Sequence, residues 1–162
     1  RGKNMNNKSA CFTGHRDIDP RNIQSIKEKL REIIINCVND GFTDFYNGGA
    51  RGFDLLAAEA VLELKKTYPS LRLHIIVPCS NQTRGWREAD VIRYENATFL
   101  ADEVKCLSPV YFDGCMQVRN RYMVDNSELL IAYLERASGG SGYTVRYAEG
   151  QGKSVINIFD EI

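Results

Sequence analysis

Two glycine-rich segments could bind an anion through backbone amides. The first is Asn-Gly-Gly-Ala-Arg-Gly-Phe-Asp, at residues 47–54. It follows an apolar, β-prone run and precedes a segment of strong helix formers. A strand, a glycine loop and a helix in this order leave N–H groups free at the helix N-terminus, where the helix dipole also favours phosphate.

The residue types of this first loop fit phosphate binding, and an ordinary strand-to-helix turn is the alternative. Glycine lets a phosphate approach the backbone and tolerates positive φ. Arg51 could bond a phosphate in a bidentate manner, and Asp54 is predicted to cap the helix. The spacing matches neither the G-x-G-x-x-G fingerprint nor a Walker A loop. The candidate ligand-binding residues of this loop are Gly48, Gly49, Ala50, Arg51, Gly52 and Asp54.

The second glycine-rich segment, Gly-Gly-Ser-Gly at residues 139–142, follows the continuous apolar run Glu128–Leu134. Nearby hydroxyl groups could add donors to a second phosphate-binding loop. A flexible loop ahead of a short helix at residues 144–150 is the alternative. The candidate ligand-binding residues here are Gly139, Gly140, Ser141 and Thr144.

Polar residues also follow the first and third predicted strands. Gly14, His15 and Arg16 come directly after the first strand, where His15 either contacts a ligand or caps its own loop. Gln82 and Trp86 come after the third strand. The Trp86 ring could stack on a base, or it could be buried as a core or interface aromatic.

Arg119 is the remaining candidate, on a predicted helix at residues 114–126. It lies four residues from both Cys115 and Met123, so the three side chains share one helix face. This placement predicts a partly buried arginine that faces a ligand, and a solvated surface charge is the alternative.

The elements that position these residues alternate between strands and helices. Strands are predicted at Ser9–Thr13, Phe42–Asn47, Leu71–Val77, Val104–Ser108, Glu128–Leu134 and Ser154–Phe159. The alternation predicts an α/β protein with three layers, a mostly parallel central sheet and helices on both faces. Ligands of such sheets bind beyond the carboxyl ends of the strands, where the polar clusters fall, so one common site is expected. Residues 9–162 are predicted to form one domain after a disordered or vector-derived segment at residues 1–8.

Length and charge narrow the classes of function. The chain has 162 residues, with 21 basic and 21 acidic side chains. A balanced charge makes a nucleic-acid partner an unfavourable interpretation, because such proteins usually carry a basic excess. No apolar run reaches the length of a membrane span, and the start lacks a signal-peptide pattern. Five cysteines without a C-x-x-C pair are typical of the cytoplasm, and two distant histidines argue against a metal site.

No catalytic constellation is evident from spacing alone. Asp54 and Glu59 follow the first glycine loop, and Asp125 and Glu128 flank the end of the Arg119 helix. Their spacing does not establish a paired-carboxylate site. No Ser-His-Asp or Cys-His arrangement stands out either. We therefore expect no required cofactor beyond a bound nucleotide.

The ordered set of motifs resembles the YpsA-like branch of the SLOG superfamily. The motifs are Phe-Thr-Gly-His-Arg at 12–16, the loop at 47–54, Pro78 with Gln82 and Trp86, Ala101-Asp102, Arg119 with Met123 and Asp125, and Gly139-Gly140 with Thr144. The resemblance implies a modified Rossmann fold that binds a nucleotide or a nucleotide-derived ligand, similar to ADP-ribose or NAD, as a sensor or regulator. Related folds often self-associate, so a homodimer is also implied.

This branch is related to the lysine-decarboxylase-like LOG phosphoribohydrolases and to the DNA-processing protein DprA. In LOG enzymes a glutamate that follows the glycine cluster acts with an arginine from an earlier helix in N-glycosidic bond cleavage. Arg119 matches that arginine and is the only LOG-like catalytic candidate. Val145 and Arg146 occupy the positions of the acidic pair. The resemblance therefore implies ligand binding first, with hydrolysis of a nucleotide N-glycosidic bond as the alternative.

Overall fold

The computed structural model describes residues 7–162, so most of the predicted N-terminal segment lies outside the described residues. The strands are β1 Lys8–Gly14, β2 Phe42–Asn47, β3 Arg72–Val77, β4 Glu103–Cys106, β5 Leu129–Tyr133 and β6 Ser154–Asn157. The helices are α1 Ile23–Asn39, α2 Phe53–Lys65, α3 Glu88–Leu100, α4 Cys115–Asp125 and α5 Gly139–Gly150.

The six strands form one sheet in the order β4-β3-β2-β1-β5-β6, and every neighbouring pair is parallel. This confirms the predicted class, with a sheet that is parallel throughout its described strands. The chain moves outward from β1 to β4, then crosses back to place β5 on the other side of β1. The strand order therefore reverses between β1 and β5, which is the topological switch point where such sheets bind ligands.

Alternating side chains of the central strands pack against two different helix layers. Ala10 and Phe12 of β1 join the core formed with α1 and α2, whereas Cys11 joins the core formed with α4 and α5. This is the two-residue repeat of a strand buried on both faces. All five residues of β5 are buried, as the apolar run predicts. Two packed layers thus hold the carboxyl ends of β1 and β5 in place.

The helices begin at different residues from those the sequence predicts. The glycine cluster at 139–142 is the first turn of α5 rather than a loop before a helix at residue 144. Helix α2 begins at Phe53 with Gly52 at the N-cap position, so the prediction that Asp54 caps this helix is wrong. Strand β1 begins at Lys8, one residue before the predicted domain boundary. Helix α1 ends at Asn39, and Gly41 follows it with φ 93°, a conformation typical of a glycine that terminates a helix.

Candidate functional site

A polar cavity of about 480 Å³ opens at the switch point between β1 and β5. We call it the switch-point cavity. The loops after β1, β2 and β5 and the start of α4 form its walls. Its lining residues are Thr13, Gly14, His15, Arg16, Asp17, Ala50, Asp54, Met116, Gln117, Arg119, Asn120, Arg136, Ser138, Gly139, Gly140 and Ser141. The volume is in the range of small-molecule sites in proteins.

The N-terminus of α5 forms one wall of this cavity. Gly139, Gly140 and Ser141 line it, and the side chain of Ser138 makes no capping hydrogen bond within the described chain. The first turn of a helix has amide N–H groups without intrahelical partners. These amides and the positive end of the helix dipole favour an anion at this wall.

Two exposed arginines add positive charge at the same end of the cavity. Arg16 and Arg136 both line the cavity and are both exposed. The Arg16 guanidinium donates to the Met116 sulfur at 2.9 Å, and a thioether sulfur is a weak acceptor. Burial and then the Arg136 charge lower the pKa of His15, which favours the neutral imidazole.

His15 lines the switch-point cavity and is bonded to the loop after β5. Its Nε2 accepts a hydrogen bond from the Glu135 amide at 2.9 Å, so the ring fixes the loop after β5. The same ring lines the switch-point cavity and packs edge-on against Tyr133. The loops after β1 and β5 are therefore held together by His15.

Asp54 places a buried carboxyl group on the cavity wall. The residue is 6% exposed, and its Oδ2 accepts a hydrogen bond from the Ala50 amide at 3.3 Å. Its Oδ1 is buried and has no hydrogen-bond partner among the described residues. Burial raises the pKa of Asp54 to about 6, although the Arg119 charge and the Ala50 amide act in the opposite direction.

The raised pKa of Asp54 predicts a pH-dependent stability. An unfolded aspartate has a pKa of about 3.9, so between pH 4 and 6 the folded chain binds more protons and loses stability as pH rises. We expect the unfolding free energy of Asp54→Asn, relative to the parent, to increase by up to about 3 kcal/mol between pH 4 and 7. Urea unfolding at each pH measures this difference, and a difference independent of pH would contradict the expectation.

Arg119 lies beneath the cavity and joins three parts of the fold. It is 4% exposed, and its Nη1 donates to the Gly48 carbonyl at 2.6 Å and to the Ile76 carbonyl at 3.2 Å. The same nitrogen lies 3.3 Å from the Gln82 Oε1, and the Gln82 amide donates to the Gly48 carbonyl at 3.1 Å. As predicted, Cys115 and Met123 share this buried helix face. The arginine is thus largely a structural element of the site.

Three predicted ligand residues, besides the shared Arg16, lie in a second cavity. Arg51 and Trp86 line it together with Gly52, and we call it the lateral cavity. Its volume is also about 480 Å³, and it shares only Arg16 and Asp17 with the switch-point cavity. The Arg51 guanidinium pairs with Asp17 at 2.6 Å rather than turning toward α5. The single predicted site is therefore two neighbouring cavities.

The remaining predicted residues support the cavity from below. Gly48 and Gly49 are buried, and the Gly49 amide donates to the Asn47 side chain at 2.7 Å. Thr144 is buried inside α5, where its hydroxyl donates to the Gly140 carbonyl at 2.9 Å. These residues shape the loops without lining the switch-point cavity.

Several cavity residues were not singled out from the sequence. They are Thr13, Asp17, Met116, Gln117, Asn120, Arg136 and Ser138. Two signals could have found some of them. Arg136 stands three residues before the second glycine cluster, and Gln117 and Asn120 stand three residues apart at the start of the Arg119 helix.

The doubly wound parallel sheet, with a polar cavity at its switch point, defines a Rossmann-like α/β protein. Within this class, the YpsA family model, described as the YspA SLOG family, matches residues 11–157. The chain therefore belongs to that family, which confirms the resemblance seen in its motifs. Its relatives include a UPF0398 protein of Halalkalibacterium halodurans, 32% identical over 132 residues that cover 80% of this chain and 70% of the relative.

Solved structures with a similar fold include two DNA processing proteins A. The protein from Helicobacter pylori, described with a single-stranded DNA binding mode, has a TM-score of 0.61 and 21% identity; the match covers 91% of this chain and 63% of that one. DprA from Streptococcus pneumoniae has a TM-score of 0.65 and 14% identity; the match covers 91% of this chain and 49% of that one. At these identities the likeness shows the fold alone.

The described residues also bear on metal binding and on membrane insertion. Within residues 7–162, no group of three or more His, Cys, Asp or Glu side chains is placed to hold a metal ion. In the same part of the chain, no helix is long and apolar enough to cross a membrane.

Proposed function

We propose that the chain binds a small phosphorylated, nucleotide-derived ligand in the switch-point cavity, of the ADP-ribose or NAD kind, and acts as a sensor or regulator. The observation that carries this proposal is the convergence of three strand ends on one polar cavity. The start of α5, with Arg16 and Arg136, supplies an anion site, and Asp54 supplies a hydrogen-bond acceptor. A phosphate joined to a hydroxyl-bearing sugar fits both the anion site and the Asp54 acceptor.

The lateral cavity supports a ligand with a second, aromatic part. Trp86 lines that cavity beside four arginines, Arg16, Arg51, Arg87 and Arg93. A nucleobase could stack there while its phosphate and sugar occupy the neighbouring switch-point cavity. The shared residues, Arg16 and Asp17, make the two cavities contiguous at their rims.

Calorimetry and thermal unfolding with AMP, ADP-ribose and NAD test the binding proposal. A ligand at one hundred times its Kd should raise the unfolding free energy by about 2.7 kcal/mol. A flat response to all three, with folded protein, would overturn the proposal. Any ligand retained through purification, detected by native mass spectrometry, would identify the natural compound.

The Arg16→Ala variant tests the anion site within that cavity. A charge-assisted hydrogen bond contributes about 1.5–3 kcal/mol, so we expect AMP or ADP-ribose to bind at least about tenfold more weakly. The fold should be retained, because Arg16 is exposed. Arg84→Ala is the matched control, since Arg84 is exposed and lines neither cavity. Equal losses of affinity in both variants would indicate a general charge effect instead.

Hydrolysis of a nucleotide N-glycosidic bond is the second candidate function, and Asp54 is the observation that favours it. The LOG-like glutamate is missing, but Asp54 places a carboxyl group in the same cavity as Arg119. Water would add to C1′ as the bond to the base breaks, and the base would leave with a proton. Chromatography of AMP incubated with the protein tests this. Adenine release that Asp54→Asn abolishes would support hydrolysis, and bound but intact AMP would support the sensor role.

Single-stranded DNA binding, described for the similar fold in H. pylori, is a third possibility to test. Equal numbers of acidic and basic residues weigh against it here. A gel shift at low salt is a sensitive check, because phosphate-driven binding is strongest there.

A further inference from the structure

The Asp54 carboxylate can accept a further hydrogen bond that no described residue donates. Its Oδ2 accepts from the Ala50 amide, but its buried Oδ1 has no partner among the described residues. A buried polar atom without a hydrogen bond is costly, so natural proteins rarely keep one unless it has a role. Because the side chain lines the switch-point cavity, a ligand that donates a hydrogen bond could satisfy this oxygen.

The lining of the cavity indicates which part of a nucleotide would reach Asp54. Among residues 7–162, no phenylalanine, tyrosine or tryptophan lines the switch-point cavity, whereas Trp86 lines the lateral cavity. Bases bind most readily where they can stack on an aromatic ring. The base is therefore better placed in the lateral cavity, and the sugar and phosphate in the switch-point cavity.

The anion site further limits which group of a nucleotide can lie beside Asp54. Arg16, Arg136 and the first turn of α5 would hold a phosphate in the same cavity as Asp54. The groups of a nucleotide that lie beside a phosphate and donate hydrogen bonds are the ribose hydroxyls. A carboxylate is a strong acceptor for such hydroxyls, and it has no donor of its own to offer.

We propose that Asp54 accepts a hydrogen bond from a ribose hydroxyl, so that the site selects ribose phosphates over their deoxyribose counterparts. The inference rests on the proposed binding of a nucleotide-derived ligand and names its sugar. It separates a ribonucleotide ligand from DNA, since DNA lacks the 2′-hydroxyl.

Calorimetric titration of the whole chain with AMP, 2′-deoxy-AMP and 3′-deoxy-AMP tests this inference. We expect at least one deoxy compound to bind about tenfold or more weakly than AMP, because it leaves Oδ1 unpaired. Equal binding of all three, within twofold, would overturn the inference while leaving the proposed function intact. Failure of AMP, ADP-ribose and ribose 5-phosphate to bind folded protein would overturn both.

The Asp54→Asn variant, at the same pH, assigns the preference to this carboxyl group. We expect the ratio of the AMP and deoxy-AMP affinities to fall to within about twofold of one. Asp44→Asn is the matched control, because Asp44 is 7% exposed but lies in β2 away from the cavity, paired with Arg72 at 2.7 Å. A full ribose preference in the Asp54→Asn variant would overturn the inference. If that variant does not fold, the comparison of ligands on the unmodified chain still decides the question.

Discussion

Replacing Gly52 with alanine is expected to destabilise the fold by at least about 3 kcal/mol. Gly52 has φ 81° and ψ −124°, which an L residue rarely adopts. A Cβ atom there would lie 2.3 Å from the Arg16 carbonyl oxygen and 2.6 Å from the His15 carbonyl oxygen. These are backbone atoms, so the loop after β1 would have to move. Urea unfolding of the variant measures the loss.

Gly85→Ala separates the backbone strain from the steric contact. Gly85 also has positive φ, 82°, but a Cβ there meets no atom within 4 Å. We expect this control to lose only about 1–2 kcal/mol, the cost of the left-handed conformation. Similar losses in the two variants would show that the close approach to Arg16 has little energetic importance.

The Gly52→Ala substitution should also disturb the ligand site. The Phe53 amide donates to the His15 carbonyl at 3.1 Å, directly beside the contact. This hydrogen bond and the close approach of Gly52 hold the loops after β1 and β2 together. Moving them apart would separate Arg16, in the loop after β1, from Asp54, in the first turn of α2, on the wall of the same cavity. We therefore expect weaker ligand binding even where the variant remains folded.

Replacing Arg119 with methionine is expected to destabilise the protein by about 3–5 kcal/mol. Methionine retains much of the apolar volume but none of the donors. The Gly48 and Ile76 carbonyls would lose a buried hydrogen bond each, at 2.6 and 3.2 Å in the parent structure. The positive charge beside the buried Asp54 would also be removed. Chemical unfolding at pH 7.5 measures the change.

Arg121→Met is the matched control for this prediction. Arg121 lies two residues further along α4, is only half-buried and donates one hydrogen bond to the Tyr143 hydroxyl at 2.7 Å. A single such bond contributes about 1 kcal/mol, so a much smaller loss is expected. If the two arginine variants were equally stable, the buried carbonyl contacts of Arg119 would not stabilise the fold as described.

The Arg119 contacts change how an activity assay must be interpreted. From the sequence, loss of base release in an Arg119 variant would count as support for hydrolysis. Because Arg119 donates a hydrogen bond to the Gly48 carbonyl and contacts Gln82, its removal is expected to distort the loop after β2. Asp54→Asn, which keeps the size of the side chain, is therefore the more informative variant.

The layers of the fold could be predicted because their signals are local. The continuous apolar run of β5 occurs within a single element, and that strand lies where the pattern predicts. The ends of elements were less predictable. Residues 139–142, three glycines and a serine, form the first turn of α5 rather than preceding it. The packing of that helix outweighs the low helix propensity of glycine.

The candidate site was predictable in position but not in detail. Polar loops at the carboxyl ends of parallel strands must share one edge of the sheet, so the convergence of residues 14–16, Ala50, Asp54 and residues 139–141 followed from strand direction. The separation of Arg51 and Trp86 into the lateral cavity did not follow. Arg51 is held there by its ion pair with Asp17, which joins residues 34 positions apart.

The sequence by itself determined the order of strands and helices, the sheet edge on which the polar loops meet and the family motifs. The tertiary structure alone decided that Asp54 is buried with one unpaired oxygen and that Arg119 supports the loop from beneath. The reason is that burial and hydrogen bonding depend on groups distant in the chain. Arg119 and Gly48 are separated by 71 residues, and only the packing of α4 against the sheet brings them to 2.6 Å.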